Sequence, residues 1–159
     1  MEEVVVSGVA LAEDEAKITL FRVPDRQGVA AKIFQTLADA NVNVDMIIQN
    51  KTQTHSTDVS FTVFKNELAK AMKVVKANAG KLGVKDVVCD ENIAKVSVVG
   101  IGMRSHSGIA SKMFSTLAKN KINIDMISTS EIKISVVVAG DKGKLAAKVI
   151  HKAFGLGKK

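Results

Sequence analysis

The sequence predicts an α+β protein of two ferredoxin-like βαββαβ domains, the first inserted in the second. Three observations lead to this prediction: an internal repeat, alternating strand and helix patterns within each copy, and a strand that precedes the first copy and is missing at the end of the second. The segment 28–50, GVAAKIFQTLADANVNVDMIIQN, recurs at 108–130 as GIASKMFSTLAKNKINIDMISTS. A period of about 80 residues indicates two domains, since solenoid repeats are shorter.

The first copy has the pattern of a strand, a helix, two strands, a helix and a strand. Apolar residues of 28–40 recur at helical spacing, and TDVSFTV at 57–63 alternates with a period of two, as a strand with one buried face does. The predicted elements are a strand at 17–23, a helix at 28–40, strands at 42–49 and 57–63, a helix at 66–79 with Asn66 as its N-cap and its end near Gly80, and a strand at 85–90. This order is βαββαβ.

The second copy repeats the order but lacks the last strand. Its predicted elements are a strand at 95–101, a helix at 107–119, strands at 122–128 and 131–138, and a helix at 141–154. The final residues GLGKK cannot form a strand, whereas VVVSGVAL at 4–11 is a good strand that the first copy does not need. We therefore expect residues 15–90 to form the first domain, and residues 1–14 with 91–159 to form the second.

Composition indicates a cytoplasmic globular protein without a membrane or nucleic-acid role. No apolar run approaches the roughly 20 residues of a membrane helix, and the acidic start does not resemble a secretory leader. The net charge of +7 comes largely from lysines in helical segments, where a solvated face accounts for them. The chain has no Trp or Tyr, which argues against stacking of RNA bases on a sheet. The single cysteine, Cys89, is predicted to be a small packed residue.

Catalytic chemistry, metal sites and cofactors find little support in the sequence. Three isolated histidines do not provide zinc-ligand spacing. The loop GIGMRSHSG at 100–108 lacks both the third glycine of a dinucleotide-binding loop and the Gly-Lys-Ser/Thr of a nucleoside triphosphate loop. Neither the pair of Ser105 and His106 nor any Cys-His arrangement comes with an evident orienting acid. We expect no catalytic residue, metal or cofactor.

The junction of the first strand and first helix carries the remaining candidate chemistry. A helix N-terminus offers unpaired N–H groups to a carboxylate, and Gly28 permits close backbone approach there. Asp25 supplies a carboxylate that can accept hydrogen bonds from an ammonium, so the pair suits a free amino acid. The alternative is an ordinary turn at Pro24-Asp25 with a helix cap, and spacing alone leaves both interpretations open.

Several segments resemble the regulatory region of aspartokinase over essentially the whole chain. They are VPDRQGVAAKIFQTLADANVNVDMIIQN, TDVSFTV, AKVSVVGIGMRSHSGIASKMF, KINIDMISTSEIKISVVV and HKAFGL. The resemblance implies two nested ACT domains that regulate aspartate phosphorylation without catalysing it. It also implies threonine, lysine or both as effectors, a homodimer formed through the ACT domains, and a catalytic aspartokinase domain or subunit as partner.

The resemblance further implies a set of effector contacts. A threonine pocket maps onto Asp25, Gly28, Val29, Ala30 and Gln49 of the first domain, with Asn123 and Ile124 of the second. A lysine pocket draws on Asp25 with Ser130 and Glu131. Asn123 can instead simply open a strand, and Ser130-Glu131 can simply form a hairpin turn. The chain departs from the family at three positions: Gln27 and Ser107 stand where most relatives have proline, and Lys121 stands where some relatives have an asparagine of the pocket.

A mechanism follows as a hypothesis from the resemblance. The effector binds between a first and a second module, across a two-fold pair of chains, and stabilises one arrangement of the dimer in which the catalytic partner has low activity. Two alternatives stay open: an ACT protein that senses another amino acid for a different partner, and an interaction module without a small ligand. Co-purification with a kinase subunit distinguishes the first alternative, and the absence of any amino-acid-induced thermal shift favours the second.

Overall fold

The computed structural model describes residues 5–101 and 107–156, which form eight strands and four helices in two compact units. One unit is Asp14–Glu91, and the other comprises the described residues on either side of it. The first unit contains β2 (Glu15–Pro24), α1 (Val29–Asp39), β3 (Val44–Lys51), β4 (Ser56–Phe64), α2 (Leu68–Leu82) and β5 (Asp86–Asp90). The second contains β1 (Val5–Ala12), β6 (Ile93–Ile101), α3 (Ser107–Lys119), β7 (Met126–Thr129), β8 (Lys133–Ala139) and α4 (Gly143–Ala153).

The first unit is a four-stranded antiparallel sheet with strand order β3-β4-β2-β5 and both helices on one face. Its helices are amphipathic, because their apolar residues recur every three or four positions and form a buried stripe. The buried helical residues are Val29, Ile33 and Leu37 of α1 and Leu68, Ala71, Val75 and Leu82 of α2. They pack on the alternate residues of β2 and β4 that point to the same side, with Phe61 fully buried among them.

The second unit has the strand order β1-β6-β8-β7, and its fourth strand comes from the N-terminal part of the chain. β1 pairs antiparallel with β6, with Val9 opposite Val98, and so takes the place that β5 takes beside β2. The predicted fold class, two βαββαβ domains with the first inserted in the second, is confirmed.

The repeat extends to a polar pair at the centre of each sheet. Thr19 on β2 lies opposite Ser60 on β4, and their hydroxyl oxygens are 3.0 Å apart. At the matching place Ser97 on β6 faces Ser135 on β8, with their hydroxyl oxygens 2.7 Å apart. One hydroxyl of each pair donates and the other accepts, so both polar side chains have a hydrogen-bond partner within the sheet.

Several local predictions differ from the structure. Asn66 does not cap α2: residues Lys65–Glu67 form a 3₁₀ turn, and the helix runs from Leu68 to Leu82, beyond Gly80. Gly83 ends it in the left-handed conformation, at φ 74°. A Cβ on Gly83 would lie 2.8 Å from Cγ of Pro24, so packing as well as φ requires glycine here. Cys89 is exposed instead of packed, because β5 lies at the edge of its sheet.

All four helices end in the same hydrogen-bonded motif. The residue after the C-cap region adopts a positive φ and donates to a carbonyl three residues back, while the next N–H reaches five residues back, as in a Schellman motif. The positive-φ residues are Asn41, Gly83, Lys121 and Gly155. Three are of the types that tolerate this conformation, whereas Lys121, at φ 59°, carries a β-carbon that crowds its own backbone.

Substitution of Lys121 by glycine is therefore expected to raise the free energy of unfolding by about 0.5–1 kcal/mol. A left-handed conformation costs a residue with a side chain roughly 1–2 kcal/mol, and the greater freedom of glycine in the unfolded chain offsets part of that gain. Urea unfolding followed by far-UV circular dichroism measures the change. Lys119→Gly is the matched control: Lys119 is the last residue of α3, in helical conformation, and glycine there should destabilise instead of stabilise. A lower unfolding midpoint for Lys121→Gly contradicts the prediction.

Candidate functional site

The turn between β2 and α1 leaves the start of the helix uncapped by any side chain. Gly28 is the N-cap at φ 86°, and no side chain accepts from the first-turn amides. The turn is closed by backbone bonds, from Arg26 N–H to the Pro24 carbonyl at 2.9 Å and from Val29 N–H to the Arg26 carbonyl at 3.4 Å. The Val29 amide is thus already engaged in the turn, and the amides that follow it in the first turn, with the positive end of the helix dipole, are available to an anionic group.

Asp25 is held against the hairpin that joins β3 and β4. Its backbone N–H donates to the carbonyl of His55 at 3.3 Å, and its carboxylate oxygen Oδ2 lies 3.2 Å from Nζ of Lys51. The carboxylate does not cap α1, which rules out the cap interpretation of the Pro24-Asp25 turn. Both side chains of the ion pair remain open to solvent, Asp25 by 36% and Lys51 by 69%. A small ligand can therefore reach the carboxylate.

Gln49 lies on the same side of the sheet as this ion pair. It is opposite Val59 in the β3–β4 ladder, and Lys51 is opposite Thr57. Directly opposite residues share a face, and Val59 is part of the core beneath the helices, so Gln49 and Lys51 both point to the helix side. The structure therefore places Asp25, Gln49 and the start of α1 at one corner of the unit. We call this corner, formed by residues 25–30 with Gln49 and Lys51, the α1 corner.

A buried hydroxyl group beneath the α1 corner has no hydrogen-bond partner. Thr57 is 2% exposed, and its Oγ1 is unpaired within the described part of the chain. In the ladder it stands between Val23 of β2 and Lys51 of β3. Sequence reasoning missed both Thr57 and Lys51. The available signal was the alternation of faces along each strand. Thr57 is a polar residue on the same face of its strand as buried Val59, and Lys51 is on the same face of its strand as Gln49.

A basic cavity of about 230 Å³ adjoins the start of α1 on its other side. It is lined by Arg26, Gln27, Val29, Lys32, Lys81 and Leu82. Three of these side chains are cationic and none is a carboxylate. The surroundings of the α1 corner are thus electropositive, which favours a carboxylate at the helix start and disfavours additional cations.

The candidate residues of the second unit lie at opposite ends of β7. Asn123 and Ile124 belong to the loop between α3 and β7 and help to line an open groove of about 500 Å³ beside Lys121. Neither opens a strand, because β7 begins only at Met126. Ser130 and Glu131 follow the strand in its exposed hairpin turn, where Ser130 N–H donates to the Lys133 carbonyl at 2.8 Å. These four residues do not form one cluster within the unit.

The described ranges contain neither a candidate metal site nor a candidate membrane-spanning helix. No three His, Cys, Asp or Glu side chains come together there as a possible metal site. No helix in the same ranges is long and apolar enough to span a bilayer. Residues 102–106 of the GIGMRSHSG loop, which include Ser105 and His106, lie outside the described residues.

Comparison with known proteins gives consistent matches in sequence and structure. The ACT domain family matches residues 22–78 and 96–154. An aspartokinase of Pseudomonas aeruginosa is 51% identical over 156 residues, which cover 98% of this chain and 38% of that enzyme. A crystal structure of aspartokinase alpha and beta subunits superposes with a TM-score of 0.89 at 45% identity, covering 95% of this chain and 99% of the other. The ligand-free regulatory subunit of aspartate kinase from Thermus thermophilus also reaches 0.89, at 39% identity and 94% and 98% coverage.

Proposed function

This chain belongs to the ACT domain family as the regulatory part of an aspartokinase, and we propose that it binds threonine or lysine at the α1 corner to mediate feedback inhibition of aspartate phosphorylation. The observation that carries the proposal is the uncapped helix start beside an accessible carboxylate. A free amino acid has the two complementary groups, a carboxylate for the helix amides and an ammonium for Asp25.

We assign a role to each residue of the α1 corner. The backbone of Gly28, Val29 and Ala30 receives the effector's carboxylate, Asp25 accepts from its ammonium, and the amide of Gln49 bonds its side chain. Further contacts are assigned to Asn123, Ile124, Ser130 and Glu131. These four residues belong to the other unit and lie at the two ends of β7. We propose that a homodimer of the chain supplies them.

Regulation requires a catalytic partner. The chain spans 38% of the length of the Pseudomonas enzyme, and a full aspartokinase would place it beside a kinase domain or subunit in the cytoplasm. Effector binding would stabilise one dimer arrangement and bias the partner toward its low-activity state. Coupling of about 1–3 kcal/mol is typical of such linkage and changes an affinity roughly 5- to 150-fold.

Isothermal titration calorimetry of the 159-residue chain tests the first step. Threonine or lysine should give saturable heat at millimolar concentration or below, and valine, which lacks both the hydroxyl and the second amine, should bind more weakly. Kinase assays with a catalytic aspartokinase subunit test the second step, with inhibition by the same amino acid only when this chain is present. Absence of heat with both threonine and lysine would overturn the proposal.

A further inference from the structure

The carboxylate that is available to an effector's ammonium already has a cationic partner. Lys51, the last residue of β3, places Nζ 3.2 Å from Oδ2 of Asp25. The Lys51 ammonium thus pairs with the same carboxylate that the proposed effector's ammonium would use. Any effector that uses Asp25 must share the carboxylate with Lys51 or displace it.

Asp25 and Lys51 are both attached to the hairpin between β3 and β4. Asp25 is fixed through its backbone bond to His55, in the same β3–β4 hairpin that carries Lys51. The hairpin is braced by Thr52, whose hydroxyl oxygen lies 2.9 Å from the Ser56 carbonyl and 2.8 Å from the Ser56 hydroxyl. Asp25 and Lys51 therefore move with one short loop.

The ion pair is exposed, and this makes it responsive to a ligand. Exposed pairs contribute little to folding stability, because solvent screens them and two flexible side chains lose freedom. A ligand ammonium can therefore compete with Lys51 without unfolding the corner. The positive charge of Lys51 stays nearby after displacement, since its Cα is fixed in the ladder opposite Thr57.

We propose that Lys51 is a specificity-determining residue, which makes the α1 corner select an amino acid with an uncharged side chain over a dibasic one. This inference rests on the proposed function of the corner. An amino acid with an uncharged side chain has a single ammonium, which the carboxylate of Asp25 can neutralise. A dibasic amino acid brings a second cation next to Lys51, and Arg26, Lys32 and Lys81 line the adjoining cavity without a carboxylate among them.

The test compares the affinities of three probes by calorimetry at low and high salt. They are L-threonine, L-lysine and L-norleucine, which has the carbon chain of lysine without its second amine. The proteins are the full chain and its variants Lys51→Met, Lys51→Glu and Lys73→Met. The last is the matched control, because Lys73 is an exposed lysine on α2 and has no ion pair with Asp25.

The original chain should bind threonine more tightly than lysine. Lys51→Met should lower the ratio of the lysine Kd to the threonine Kd about fivefold to tenfold, as expected for removing one like charge several ångströms away in a solvent-exposed site. Lys51→Glu should lower it further, and Lys73→Met should leave it unchanged. The norleucine-to-threonine ratio should not follow the same trend, and added salt should reduce the effect.

The outcomes separate the inference from the function on which it rests. If threonine or lysine binds but the lysine-to-threonine ratio is the same in all four proteins, Lys51 does not set specificity and the inference is overturned while the effector site stands. A parallel change in the norleucine ratio also overturns it, because that change reports shape and not charge. If the original chain binds neither threonine nor lysine, the effector site itself is wrong.

Discussion

Replacement of Asp25 by alanine is expected to weaken effector binding roughly 10- to 150-fold, which corresponds to the 1.5–3 kcal/mol of a hydrogen bond to a charged group. The substitution removes the carboxylate that accepts from the effector's ammonium. It also leaves Lys51 without its ion-pair partner, so an uncompensated positive charge remains where the ammonium should bind. Calorimetric titration with threonine and lysine measures the loss.

Two controls distinguish a binding defect from a folding defect. Asp25→Asn keeps the size of the side chain and one acceptor oxygen, and its affinity should fall between those of the original chain and the alanine variant. Thermal unfolding of both variants without effector should change little, because Asp25 is 36% exposed and its ion pair lies at the surface. Unchanged affinity in a folded Asp25→Ala protein would show that Asp25 lies outside the site.

Replacement of Phe61 by alanine is expected to lower the stability of the first unit by about 3–5 kcal/mol, the usual cost of deleting a buried phenylalanine side chain. Phe61 is fully buried on β4. Its ring meets that of Phe34 edge to face, with centroids 5.6 Å apart and planes at 71°. The loss of this aromatic contact adds to the stability that is lost with the buried apolar area.

Phe64 provides the matched control for this prediction. It lies on the same strand but is 44% exposed, so Phe64→Ala removes the same atoms from a site that is already partly solvated. We expect its effect to be below about 1.5 kcal/mol. The chain has no Trp or Tyr, so urea unfolding is best followed by far-UV circular dichroism. Equal losses for the two variants would contradict the central packing role of Phe61.

The sequence predicted the elements whose patterns are local. The helix expected at 107–119 is α3, Ser107–Lys119, because its apolar residues recur at helical spacing over the whole segment. The nested fold followed from a simple count of strands in the two copies. Helix ends were less predictable: Gly80 and Gly83 are both plausible stops, and the contact between Gly83 and Pro24, distant in sequence, favours the second.

The site was predicted only as far as single residues carry a signal. Asp25 and Gly28 stand out because a helix start with a nearby carboxylate has recognisable chemistry. Lys51 and Thr57 were missed because their importance depends on the pairing register of β3 with β4 and of β4 with β2, which brings residues more than 25 positions apart to one corner. Register is a property of the assembled sheet, and alternation within one strand indicates only its faces.

The position of β1 has a consequence for synthesis on the ribosome. β1 ends at Ala12, and its partner β6 begins only at Ile93. At a translation rate of 5–20 residues per second, roughly 4–16 s separate the two strands. During that interval the first unit can complete its own sheet, while the β1 segment still lacks the strand beside which it will fold. The first strand of the two units to be made is thus among the last to pair.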